Sequence, residues 1–132
     1  MANLNERDKE RIAARRVREH FNLFARLPAI YAASRKQGQH LLKIGGGLSI
    51  VEWRVLWDLC EAGQMTIKDL ASMQRADPSL LSRALPEMRR KGFVTMRRSE
   101  TDSRQTIVEV SQAGRAAYDR AAPVMARRRA AL

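Results

Sequence analysis

Asp77-Pro78-Ser79-Leu80-Leu81-Ser82-Arg83-Ala84-Leu85 is the stretch on which the reading of this chain turns. Asp before Pro is a strong helix start: the carboxylate accepts hydrogen bonds from first-turn amides, and proline at the first helical position has no N–H to leave unpaired. Leu81, Ala84, Leu85 and Met88 recur at helical spacing as an inward stripe, while Ser79, Ser82, Arg83, Pro86 and Arg90 face outward. Gly92 supplies a left-handed stop. Upstream, Thr66-Ile67-Lys68-Asp69 sets a cap hydroxyl three residues before an acid, which starts a short helix carrying Ile67, Leu70 and Ala71 inward and breaking near Arg75. Ser49-Ile50-Val51-Glu52 gives the same signal for a helix with Trp53, Leu56, Trp57 and Cys60 on one face, ended by Gly63. Downstream, Phe93 to Arg98 and Gln105 to Val110 are β-prone and joined by a polar segment, Ser99 to Arg104, which makes a hairpin with a charged tip. Ser111 opens a last helix with Ala116 or Ala117, Tyr118, Ala121, Val124 and Met125 at helical spacing, ending in Arg127-Arg128-Arg129.

Towards the N-terminus, Asn5 to about Lys43 is rich in Ala, Arg, Leu and Glu, with Pro28 and Gly38 as the breakers, and reads as two consecutive helices. Val17, Phe21, Phe24 and Leu27 or Ala25 form an apolar stripe that needs a partner to bury it. Gly45-Gly46-Gly47 then makes a loop or hinge. With 132 residues the chain supports one modest core, and one compact unit is expected, in three regions: 1–47, 48–111 and 112–132. The expected class is mainly α with a small β-hairpin wing.

Twenty-five Lys and Arg against fourteen Asp and Glu, a formal charge of +11, favour a polyanionic partner. No apolar run approaches the roughly 18 residues of a membrane span, and the start lacks the basic-then-apolar order of a secretion signal. The lone Cys60 excludes an internal disulfide and a Cys-pair zinc site, so a cytoplasmic protein is expected. Neither a metal nor a cofactor is expected. The sequence has no phosphate-binding Gly-rich loop, no His-Glu-x-x-His and no Gly-x-Ser-x-Gly, and Ser79 and Ser82 have no neighbouring His base. The expectation is that the chain is not an enzyme.

Helix, short helix, turn, capped helix, hairpin is the order of a winged helix-turn-helix, whose last helix enters the major groove while the hairpin reaches the flanking backbone. Ser79 and Ser82, near the helix start, have small hydroxyl side chains that approach phosphate or base edges, where the helix dipole favours an anion. Arg83 has the fork that matches guanine O6 and N7, a pairing worth about 1–3 kcal/mol in discrimination. Arg97, Arg98 and Arg104 bracket the hairpin tip and suit phosphate or a narrow minor groove. Asp102 would repel phosphate there, so its expected part is a local salt bridge that fixes Arg104. Against all this stands the reading of each arginine cluster as a solvated face.

Asp102-x-Arg104-x-x-x-Val108-x-Val110-Ser111 resembles the wing signature Asp-x-Arg-x-x-x-Val-x-Leu-Thr of the multiple antibiotic resistance regulator (MarR) family. Trp53-Arg-Val-Leu56, Thr66-Ile-Lys-Asp-Leu-Ala71, Asp77 to Leu85 and Lys91-Gly-Phe-Val94 add to the resemblance, which runs from about Leu48 to Ser111. It implies N- and C-terminal dimerisation helices, and a homodimer on a pseudo-palindromic double-stranded operator. It further implies a repressor released when a small aromatic or anionic effector enters between the two regions. Arg16, His20, Tyr31 and Arg35 lie where the resemblance would put the ligand cleft, with Trp53 as its floor. Two features depart from the family. Pro86 removes a hydrogen bond inside the recognition helix and should bend or tighten it, which bears on whether Arg89 and Arg90 follow the groove. The chain also ends at Leu132 in a basic helix, where relatives generally continue into another dimer-forming helix, so either the chain is shortened or the dimer is smaller.

Simpler roles compete at several residues. Cys60 shares its face with Trp53, Leu56 and Trp57 and reads as a small hydrophobe rather than a redox sensor. His20 and His40 read as surface or packing residues, and the arginine run 127–129 as a solvated helix end. The alternative function is a basic nucleic-acid or membrane-surface interaction protein without effector response, the helix-turn-helix serving as scaffold. A third reading keeps DNA binding and drops the ligand.

Overall fold

The computed structural model describes residues 3–20 and 22–130, leaving aside the side chains at positions 19, 20, 23, 25, 129 and 130. Where one compact unit is expected, the chain divides into two, Met1–Gln37 and Gly38–Leu132. The division falls inside a helix. That helix carries exposed apolar side chains in its first half and buries only its last turns, so the break follows burial rather than the glycine loop.

The first unit holds α1 (Glu6–His20) and the start of α2 (Leu23–Ile44). Asn5 starts α1, its side-chain oxygen accepting from the Asp8 N–H at 2.9 Å while the Asp8 carboxylate accepts from the Asn5 N–H at 3.2 Å. Two helices are present as expected, but neither proline nor glycine parts them. Pro28 and Gly38 both lie inside α2, and the chain re-enters helix at Asn22, whose side chain accepts from the Phe24 N–H at 3.0 Å. Val17, Phe24 and Leu27 of the predicted stripe are 59%, 80% and 46% exposed. Phe21 and the side chain of Ala25 lie outside the described residues.

In the second unit, α3 (Ile50–Ala62) begins with the capping box read from the sequence: Ser49 Oγ accepts from the Glu52 N–H, and Glu52 returns an acceptor to the Ser49 N–H. A strand absent from the sequence reading, β1 (Met65–Thr66), precedes α4 (Ile67–Gln74), which the Thr66 and Asp69 box caps. α4 ends at Arg75, which takes a left-handed backbone at φ 52°. α5 (Pro78–Arg90) follows, then β2 (Val94–Arg98), β3 (Thr106–Val110) and α6 (Gln112–Ala130). The sheet is antiparallel in the order β1-β3-β2, with Met65 and Met96 both opposite Val108. So the hairpin is not free-standing: β1 supplies the third strand that a two-stranded ribbon needs for stability.

Leu42, Val55, Leu56, Leu59, Leu70, Leu81, Leu85, Met88, Val94 and Val108 are fully buried in one core, each large side chain contributing about 1.5–3 kcal/mol relative to exposure. α6 runs against α3, where Tyr118 stacks on Trp53 with ring centroids 5.2 Å apart. Gly114 lets the start of α6 meet the turn between α5 and β2: a Cβ there would fall 2.1 Å from the Phe93 carbonyl oxygen. Around it, the Ser111 N–H donates to Phe93 O at 3.0 Å, the Ser111 hydroxyl donates to Gly92 O, and the Gly114 N–H donates to Ser111 Oγ at 3.0 Å. Gly92, at φ 82°, makes the left-handed turn that brings the chain back from α5 into the wing.

Candidate nucleic-acid interface

α5 is held by one face and free on the other. Leu81, Leu85 and Met88 are fully buried and Ala84 is half-buried, while Ser79, Ser82, Arg83, Pro86, Arg89 and Arg90 are exposed. At about 100° per residue, Ser79, Arg83, Pro86 and Arg90 share the outermost face, and Arg89 lies on its flank beside Ser82. The helix runs on through Pro86 to Arg90, the missing N–H being one that would have met the Ser82 carbonyl.

The helix start is already satisfied. Asp77 Oδ1 accepts from the Ser79 N–H at 2.9 Å and from the Ser79 hydroxyl at 2.7 Å, and these bonds hold the Asp77 carboxyl below the usual carboxylate range. The anion favoured by the dipole is thus the chain's own carboxylate, and the Ser79 hydroxyl proton is committed to it. Arg83 Nε donates to the Ser79 carbonyl at 3.4 Å, a long bond on an exposed side chain. Arg90 forks onto Glu87, Nε to Oε2 at 2.9 Å and Nη2 to Oε1 at 2.5 Å, which lowers the Glu87 pKa and raises that of Arg90. Phosphate would have to compete with Glu87 for that guanidinium.

In the wing, Arg97 Nη2 donates to Gln64 Oε1 at 3.1 Å and Arg98 Nη1 to the Ser103 carbonyl at 2.7 Å, each arginine keeping further donors on an exposed side chain. Arg104 is exposed at the tip. Asp102 does not form the expected salt bridge. Its carboxylate accepts from the Arg104 backbone N–H at 3.1 Å and its carbonyl from the Gln105 N–H at 2.9 Å, because an Asp in a turn reaches its own main chain two residues on more easily than a long side chain.

Behind α5, Lys91 at its C-terminal cap donates to Glu52 Oε2 at 2.8 Å. Burial pushes the Glu52 carboxyl up, but the Lys91 hydrogen bond and charge and the Ser49 bonds outweigh it and hold the group below the usual range. The capping box was legible in the sequence; the lysine, 39 residues away, was not.

The ligand-cleft residues divide between the two units. Arg16, Tyr31 and Arg35 are exposed in the first, Tyr31 and Arg35 one turn apart on α2. The side chain of His20 lies outside the described residues. Trp53 is 4% exposed in the core of the second, stacked on Tyr118. Cys60 is half-buried and its thiol pKa is pushed up by burial, against the low pKa a reactive thiol needs. Among the described residues no group of three or more His, Cys, Asp or Glu is placed to hold a metal, and no helix is long and apolar enough to cross a membrane.

A capped helix packed behind a short helix and flanked by a three-stranded wing rich in arginine defines a winged helix-turn-helix protein of the DNA-binding class. Residues 48–106 match the model of the MarR family, whose members are transcription regulators and not enzymes. No curated protein matches the chain. Among solved structures it is similar to the transcriptional regulator BldR from Sulfolobus solfataricus, at 25% identity and TM-score 0.72, covering 84% of this chain and 79% of that one. A mutant MarR from E. coli complexed with operator DNA matches at 19% identity and TM-score 0.70, covering 80% and 76%. CouR from Rhodococcus jostii, bound to p-coumaroyl-CoA, matches at 20% identity and TM-score 0.69, covering 80% and 74%.

Proposed function

We propose that the protein is a homodimeric, sequence-specific repressor that holds a pseudo-palindromic operator and lets it go when a small aromatic or anionic effector binds. The observation that carries DNA reading is α5, which buries Leu81, Leu85 and Met88 and leaves Arg83 exposed, with Arg97, Arg98 and Arg104 exposed on the wing that follows. Arg83 reads a guanine edge; Ser82, Arg89, Arg97, Arg98 and Arg104 serve the phosphates, Arg90 and Ser79 joining them only by giving up Glu87 and Asp77. Asp102 shapes the wing tip through the main chain. Leu80, 43% exposed beside Ser79, is an apolar side chain on the reading helix and suits a thymine methyl. Dimerisation is supported by the exposed Phe24, Leu27, Ile30 and Tyr31, more apolar surface than one helix leaves in water without purpose. Effector binding is assigned to Arg16, His20, Tyr31 and Arg35, a cation and an aromatic being suited to an aromatic acid.

Selection from a randomised duplex pool tests this reading. A retained pseudo-palindrome with half-sites about one helical turn apart is expected. On that DNA, Arg83→Ala should abolish the preference at one base pair, whereas Arg127→Ala should weaken all sequences alike and lower the salt slope. Equal, sequence-blind losses would move the protein to the class of general basic surfaces. Aromatic acids titrated onto the complex should release it if they prefer the DNA-incompetent state.

A further inference from the structure

Glu52 is 7% exposed and is the charged side chain in the buried class among the described residues. A capping carboxylate does its work at an exposed helix start equally well, and burying a charge is costly unless it is paired and hydrogen-bonded. Here the two carboxylate oxygens serve two separate parts of the unit. Oε1 accepts from the Ser49 N–H at 2.9 Å, at the end of the glycine loop that follows α2. Oε2 accepts from Lys91 Nζ at 2.8 Å, at the end of α5. Each anchor is itself fixed: the Gly47 N–H donates to Leu42 O at 2.8 Å, and the Lys91 and Phe93 N–H groups donate to Glu87 O at 3.0 Å and Met88 O at 2.9 Å. Well-packed apolar residues could often replace a buried ion pair without loss of stability, so its use fits the setting of a register better than added stability.

We propose that Ser49, Glu52 and Lys91 form a strut that positions the recognition helix, handing the setting of the 45–49 loop to the last turn of α5. The proposal rests on the DNA-binding reading above and names positioning residues behind the reading face. Movement of the loop turns the carboxylate, and the carboxylate draws Lys91 with it. A change arriving along the end of α2 thus reaches the tilt of Arg83 without contact with DNA.

Lys91→Met, Lys91→Arg and the double variant Glu52→Met with Lys91→Met test it, in the full chain, on the duplex that the wild type retains. Lys91→Met should weaken binding by about tenfold, within the range exerted by residues that touch no ligand, with an unchanged salt slope. Amide exchange at Lys91, Gly92 and Phe93, and at Ser49, should quicken in the free protein. Lys91→Arg should restore both. The double variant, which strands no charge, should fold and still bind weakly. Wild-type affinity in either Met variant overturns the strut. So does a salt slope reduced by about one, which would make Lys91 a phosphate contact. If the wild type retains no sequence, the DNA reading fails, and exchange alone decides the strut: quickened at both ends it stands, unchanged it falls.

Discussion

Replacing Gly114 by Ala puts a methyl group into the tightest backbone approach around the wing. The new Cβ would lie 2.1 Å from Phe93 O, 3.0 Å from Phe93 C and 3.0 Å from Val110 Cγ2. A relaxed C···O contact is about 3.3 Å or longer, so helix and turn must part by roughly 1.2 Å from the 2.1 Å that the glycine permits. The turn cannot yield freely, because Phe93 O accepts from the Ser111 N–H and the Phe93 N–H donates to Met88 O. Overpacking costs about 1–3 kcal/mol, and a lost Ser111 bond about 1 kcal/mol more. Alanine's better helix propensity returns about 1 kcal/mol. The net is a loss of roughly 2 kcal/mol, which for a chain of this size lowers the melting temperature by roughly 6–10 °C. Thermal unfolding followed by far-ultraviolet circular dichroism reads it, with Gln112→Ala, an exposed change in the same turn, as a control that should stay within about 0.5 kcal/mol. A Gly114→Ala protein that melts at or above the wild-type temperature would refute the close approach.

Leu85→Ala removes a fully buried side chain from the inner face of α5 and should cost about 2–5 kcal/mol in urea unfolding. Thr66→Ala removes the hydroxyl that accepts from the Asp69 N–H and should cost about 1 kcal/mol by the same assay, with the α3 cap untouched. Acid should act through Glu52: its pKa is lower folded than unfolded, so its stabilisation is complete above the ordinary carboxylate pKa and is lost as pH falls through the folded value. The gap in urea midpoint between wild type and Glu52→Gln, present at about pH 7, should therefore narrow as pH falls below the ordinary carboxylate range; a constant gap would contradict the assignment. DNA binding should weaken linearly in log salt, because each neutralised phosphate releases counterions. Titration curves that stay put between low and moderate salt would oppose the phosphate roles of the arginines.

Much of the second unit can be read from local chemistry. Ser49 with Glu52, Thr66 with Asp69, and Asp77 with Pro78 mark three helix starts, and the structure forms all three. The inward stripe of α5 was legible for the same kind of reason, since helical spacing puts Leu81, Leu85 and Met88 on one side. The first unit was harder. Proline suggested a break that the chain makes instead at Asn22, because one missing hydrogen bond is cheaper than giving up a long helix with a good cap.

The sequence by itself determined what is settled within a turn or two of helix: caps, stops, stripes, the β-prone stretches of the wing and the excess of positive charge. Only the tertiary structure decided that Met65 pairs with Val108, that Lys91 meets Glu52, that Asp102 bonds the main chain and that Gly114 admits Phe93. The physical reason is range. A cap or a stripe depends on residues three or four apart, whose geometry the helix fixes in advance, whereas a lysine finding a carboxylate 39 positions away depends on how every intervening side chain packs.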